Sequence, residues 1–77
     1  MRLTVRVVGH AVEFFPEKKD YYVLDLDRPR SIVGLIEHLG VLPILVMAAI
    51  VDGKRRDFDY VPADGAEVVL MTPPAGG

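Results

Sequence analysis

The residues best suited to chemistry are the last five, Pro73-Pro74-Ala75-Gly76-Gly77. Two prolines remove backbone donors and favour an extended path, and two glycines bring no apolar surface, so a packed core has no use for the segment. Extended chain advances about 3.3 Å per residue, which carries this arm about 15 Å past the last strand, far enough to enter another protein's active site. With no Cβ at Gly76 or Gly77, a terminal carboxylate can pass a narrow channel, and its carbonyl carbon stays open to attack. The prolines hold the arm off the body. The plainer reading of a Gly-Gly ending is a frayed terminus.

Other reactive side chains are sparse. His10 and His38 are the only imidazoles, too few for the clusters that metals need, and both read as solvated surface residues, so no metal site is expected. The absence of Cys removes a disulfide framework, a thiolate zinc site and a cysteine nucleophile, and it fits a reducing, cytoplasmic setting. Lys54-Arg55-Arg56 is a short basic run that reads as a solvated turn. No Gly-rich stretch joins a strand to a helix with a lysine behind it, so no phosphate loop is expected. Nine Lys and Arg against 11 Asp and Glu leave a net charge of −2, which gives no drive towards nucleic acid or an anionic membrane.

The elements that must carry the arm follow from periodicity. A chain of 77 residues makes one domain, and 51% hydrophobic residues with a mean hydropathy of +0.28 supply its core without staples. The longest apolar run, Leu39 to Val51, is shorter than the roughly 20 residues of a membrane helix and is broken by Pro43. No targeting signal is read at the N-terminus. Alternation over Arg2 to Val7 predicts a first strand, and Gly9 to Asp20 a loop. A second strand is expected over Tyr21 to Asp27, forming a hairpin with the first. Ser31 is placed to cap a helix whose stripe is Ile32, Leu35, Ile36 and Leu39, with Gly40 as its stop. Ile44 to Val51 reads as a third strand ending at the turn Asp52-Gly53, and Lys54 to Tyr60 as a short charged edge strand. Pro62 to Gly65 turn the chain into a last strand, Glu67 to Met71.

The order β-β-α-β-(β)-β predicts an α+β domain of two layers, a mixed sheet of four to five strands packed on one helix. Short domains of this order commonly form the β-grasp, the ubiquitin-like arrangement with first and last strands parallel. Residues 1–72 are assigned to that domain and 73–77 to an extended, flexible C-terminal tail. If Val68 and Leu70 face the helix, then Val69 and Met71 lie on the open sheet face, as does Val8 if the first strand's alternation continues. This apolar strip, together with Pro73, Pro74 and Ala75, is the candidate partner-binding surface.

Across essentially its whole length the chain resembles the MoaD/ThiS family of sulfur carriers, ubiquitin-like proteins that end in Gly-Gly. Ser31-Ile32-Val33-Gly34-Leu35-Ile36-Glu37-His38-Leu39-Gly40 looks like the family's T-V-x-D-L-L-x-x-L-G helix, and Val51-Asp52-Gly53 stands where the family has V-N-G. Asp64-Gly65-Ala66-Glu67-Val68 resembles D-G-D-E-V, and Pro73-Pro74-Ala75-Gly76-Gly77 resembles P-P-V-A-G-G. The departures are Gly34 in place of an Asp, Ala66 in place of an acid, and a tail without the Val.

The resemblance implies that Gly77, with Gly76 beside it, is the working group. In the family an E1-like enzyme of the MoeB/ThiF type uses ATP to adenylate the terminal carboxylate. Sulfur from a donor then displaces AMP, and the resulting thiocarboxylate gives its sulfur to an acceptor subunit or synthase. The carrier binds no cofactor itself and is a co-substrate rather than an enzyme. Pro-Pro before Gly-Gly looks more like MoaD, the molybdopterin synthase small subunit, than ThiS, so molybdenum- or tungsten-cofactor synthesis is the expected destination. Carriers for thiamine, cysteine or tRNA thiolation share the ending. A ubiquitin-like modifier attached to lysines would share it too.

Overall fold

The computed structural model describes residues 1–74. Its strands are β1 (Arg2–Val8), β2 (Tyr21–Asp25), β3 (Ala48–Val51), β4 (Lys54–Arg56) and β5 (Glu67–Met71), with one helix, α1 (Ile32–His38). The strands form a five-stranded sheet in the order β2-β1-β5-β3-β4. β1 and β5 run parallel, and the β1–β2, β3–β4 and β3–β5 pairs are antiparallel. A mixed sheet of this order with a single helix on one face is the β-grasp.

The burial pattern follows the alternation of the strands. Leu3, Val5 and Val7 of β1 and Val68 and Leu70 of β5 point to the helix and are almost fully buried. Ile32, Leu35 and Ile36 of α1 meet them with no exposed surface. So short a helix holds only because its apolar stripe is covered. Both ends are nevertheless closed. Ser31 Oγ accepts from the Gly34 N–H at 3.2 Å, while Gly40 N–H donates to Glu37 O at 2.9 Å and Val41 N–H to Ile36 O at 3.3 Å, a Schellman ending.

The first strand runs one residue further than expected, to Val8, and four other segments differ by more. Gly9 to Asp20 is not simply a loop, because His10–Phe14 form a 3₁₀ helix that drives Ala11 and Phe15 into the interior. The second strand ends at Asp25 rather than Asp27; beyond it Leu26 N–H donates to Met1 O at 2.7 Å, the last rung of that pairing. The third strand begins at Ala48, not Ile44. Pro43, with φ preset by its ring, starts a 3₁₀ turn over Pro43–Leu45 in which Val46 N–H donates to Pro43 O at 2.9 Å. The fourth strand stops at Arg56 instead of reaching Tyr60. Its continuation leaves the sheet edge to serve the helix: Ile32 N–H donates to Tyr60 O and Val33 N–H to Phe58 O, both at 2.9 Å, which satisfies two otherwise unpaired donors of the first turn.

Candidate functional site: the root of the tail and the open sheet face

The tail leaves from β5, the strand at the centre of the sheet. Pairing with β1 outlasts the strands themselves. Thr72 N–H donates to Val8 O at 2.7 Å, and His10 N–H donates to Pro73 O at 2.6 Å. Between them the Thr72 hydroxyl donates to Val8 O at 2.8 Å and accepts from Ala11 N–H at 3.1 Å. Pro73 and Pro74 follow, both exposed. Ala75, Gly76 and Gly77 lie outside the described residues.

Val8 and Met71 are register partners on the open face, 44% and 41% exposed, directly before the tail root. Val69 belongs to the next row, between Arg6 of β1 and Ile50 of β3, and is half-buried by those neighbours. Ala48 pairs with Met71, and Met47, 61% exposed, donates its N–H to Met71 O at 2.7 Å. Val8, Val69 and Met71 therefore form one apolar field with Ala48, Ile50 and Met47. Arginines stand on both sides: Arg6 lies over the Tyr21 ring, 5.2 Å from its centroid, and Arg55 pairs with Ile50. Beside Val8 and Gly9 opens a cleft of about 520 Å³, whose charged rim is Arg6, Lys18 and Lys19 with Asp20 among them. An apolar field with cationic edges fits a partner surface that is apolar at its centre and acidic around it.

No cluster of three or more metal-ligating side chains occurs among the described residues. His10 and His38 are both exposed and stand apart from any such grouping. Burial pushes the phenol of Tyr22 above its ordinary value. It faces the helix side, packed near Phe15, and belongs to the core rather than to the open face. None of the described helices is long and apolar enough to cross a membrane.

Two site residues escaped the reading of the sequence, Gly9 and Thr72. Their signal was present as a glycine directly after the first strand and a hydroxyl directly before the prolines. What the sequence does not display is that these positions meet in space, more than 60 residues apart along the chain, as the 61- and 64-residue separations of the Thr72 side-chain bonds show.

Neither a protein-family model nor a curated protein matches the sequence. Solved structures do match. SAMP1 from Haloferax volcanii aligns over the whole of both chains with a TM-score of 0.72 and 15% identity. Urm1 from Trypanosoma brucei aligns over 99% of this chain and 95% of its own, with a TM-score of 0.71 and 21% identity. A protein–protein complex of subunits 1 and 2 of the molybdopterin-converting factor from Helicobacter pylori 26695 contains a chain that aligns over the whole of both, with a TM-score of 0.61 and 22% identity. At these identities the likeness is one of fold, and it establishes the ubiquitin-like β-grasp for the described residues.

Proposed function

We propose that this protein is a sulfur carrier of the MoaD/ThiS type, with the Gly77 carboxylate as its reacting group. The observation that carries the reading is the delivery of the tail: a Pro-Pro-Ala-Gly-Gly segment issues from the central strand, beside an exposed apolar field at Val8 and Met71. The fold supplies a rigid body with a docking face, and the tail supplies a narrow arm with an unhindered carboxylate.

The chemistry runs in a partner. A carboxylate oxygen of Gly77 attacks the α-phosphorus of ATP, pyrophosphate leaves, and a mixed acyl-phosphate anhydride forms. The terminal sulfur of a persulfide attacks the carbonyl carbon and AMP departs with the bonding pair. A thiol then cleaves the resulting acyl disulfide, itself becoming part of a disulfide, and leaves the thiocarboxylate. Because the partner activates the carbonyl and the donor brings the nucleophile, the carrier needs no general base or oxyanion donors of its own. Its own residues dock, through Val8, Val69 and Met71, and aim, through Pro73, Pro74 and Ala75. The partners are an E1-like adenylating enzyme, a sulfur donor and a sulfur-accepting large subunit, with molybdopterin synthesis as the favoured pathway. The Helicobacter pylori structure that shares this fold, a complex of two molybdopterin-converting factor subunits, supports that choice.

The test is the intact mass of the chain after incubation with ATP, an E1-like enzyme from the same cell and a sulfur source. Exchange of one oxygen for sulfur at Gly77, absent from a chain lacking Gly76 and Gly77, is the expected result. An unchanged mass with several activating enzymes, or Gly-Gly remnants on partner lysines instead of the thiocarboxylate, would overturn it.

A further inference from the structure

Thr72 is the buried polar residue of the described chain, 5% exposed, and it stands immediately before the prolines. Valine would fill the same space without a hydroxyl to satisfy. Here the hydroxyl is fully used, donating to Val8 O at 2.8 Å and accepting from Ala11 N–H at 3.1 Å. One residue later, His10 N–H holds Pro73 O at 2.6 Å. Pro73 and Pro74 have no N–H to donate, so the Pro73 carbonyl is the last point at which the described tail is tied to the body.

Gly9 makes the arrangement possible. Its φ of 110° and ψ of −169° lie in a region essentially reserved for glycine. A Cβ there would overlap the Thr72 carbonyl and stand 2.5 Å from Thr72 Oγ1 and 2.8 Å from Pro73 O. The backbone turn from Gly9 to Ala11 is thus wrapped closely around the tail root. Val8 links the two functions: its side chain lies on the open face while its carbonyl accepts both Thr72 bonds.

We propose that the Gly9–Ala11 turn and Thr72 form a lock that fixes where and in which direction the tail leaves the sheet. Docking at Val8 and Met71 then places the terminal carboxylate in the activating site in a single register. Thr72 is a positioning residue in this scheme, and the scheme rests on the carrier reading above. Four residues follow Pro73. At about 3.3 Å each they span about 13 Å, so a change of one residue in the exit point displaces Gly77 by more than an acyl transfer tolerates.

The lock is tested in the full chain with Thr72→Val and Thr72→Ser, by amide hydrogen exchange and by the kinetics of adenylation with an E1-like enzyme. The His10 and Ala11 amides are expected to be protected in the native chain, to exchange at least about tenfold faster in Thr72→Val, and to recover in Thr72→Ser. Thr72→Val is also expected to lower kcat about tenfold with KM within about twofold, since docking is retained and aim is lost. A glycine inserted between Pro74 and Ala75 should cost the native chain more than it costs Thr72→Val, whose register is already loose. Unprotected amides in the native chain, or fast exchange in Thr72→Val with unchanged kcat, would overturn the lock. So would a loss confined to KM, or additive effects of the insertion. A native chain that no activating enzyme adenylates, with the amides still protected, would instead overturn the carrier reading and remove the lock's purpose with it.

Discussion

At the scale of single residues, the sharpest constraint falls on Gly9. Its backbone conformation and its contact with the Thr72 and Pro73 carbonyls each exclude a side chain, so Gly9→Ala is expected to cost about 3 kcal/mol, measured by urea unfolding. Tyr22 makes the opposite case. Its buried hydroxyl makes no well-formed hydrogen bond among the described residues, the Lys19 backbone being a weak neighbour only, so Tyr22→Phe should change stability by no more than about 1 kcal/mol. Its phenol pKa is raised above 10.0 by burial, so the folded state holds the proton more tightly than the unfolded chain. That contribution is fully present below pH 10.0 and is lost as pH rises through the folded value. The alkaline fall in melting temperature should therefore be shallower in Tyr22→Phe. The tail's reactive composition was legible because prolines and glycines declare themselves by type. Gly9 and Thr72 were not, because their roles exist only once β1 and β5 are parallel neighbours.

At the scale of elements, legibility tracked local determination. The strand alternation at Arg2–Val7, the stripe Ile32, Leu35 and Ile36, and the Ser31 and Gly40 ends are written in neighbouring residues and recur in the fold. Lys54 to Tyr60 was over-extended because its departure from the edge is decided by the N–H groups of Ile32 and Val33, which lie far away in sequence. Ile44 to Met47 carries a strand signal in its aliphatic and β-branched side chains, which the turn begun by Pro43 overrides locally. The helix offers a direct test. A Cβ added at Gly34 meets only Ser31 Oγ at 3.4 Å and Arg30 Cβ at 3.5 Å, ordinary contacts. Gly34→Ala is therefore expected to raise stability by about 0.5–1 kcal/mol, read as a higher denaturant midpoint with an unchanged slope.

For the whole molecule, the proposed function assigns docking to the sheet face and reaction to the C-terminal residues, which predicts separable failures. Gly76 and Gly77 bring no side chain to bury, so on the carrier proposal their removal is expected to leave the melting temperature within about 2 °C while sulfur transfer disappears. Met71→Asp acts on the other function. The side chain is 41% exposed on the open face, so the fold is expected to survive while KM for the activating enzyme rises about tenfold or more. An unchanged KM would remove the open face from the docking surface. The fold itself was readable from element order. A pathway is not inscribed in it, because a fold of this kind does not by itself name a partner.

The parallel pairing of β1 with β5 has a mechanical consequence. Its register runs from Thr4–Glu67 to Val8–Met71 and its bonds lie across the direction in which the tail departs. A pull on the tail against a body held at Met1 loads these bonds in shear, together, whereas peeling an edge strand breaks them one at a time. With β3 gripping the other side of β5, the strand that leads into Pro73 and Pro74 is also the one hardest to draw out. A load applied beyond β5 is thus borne by the whole register at once, and the fold outlasts a pull that would unzip an edge strand.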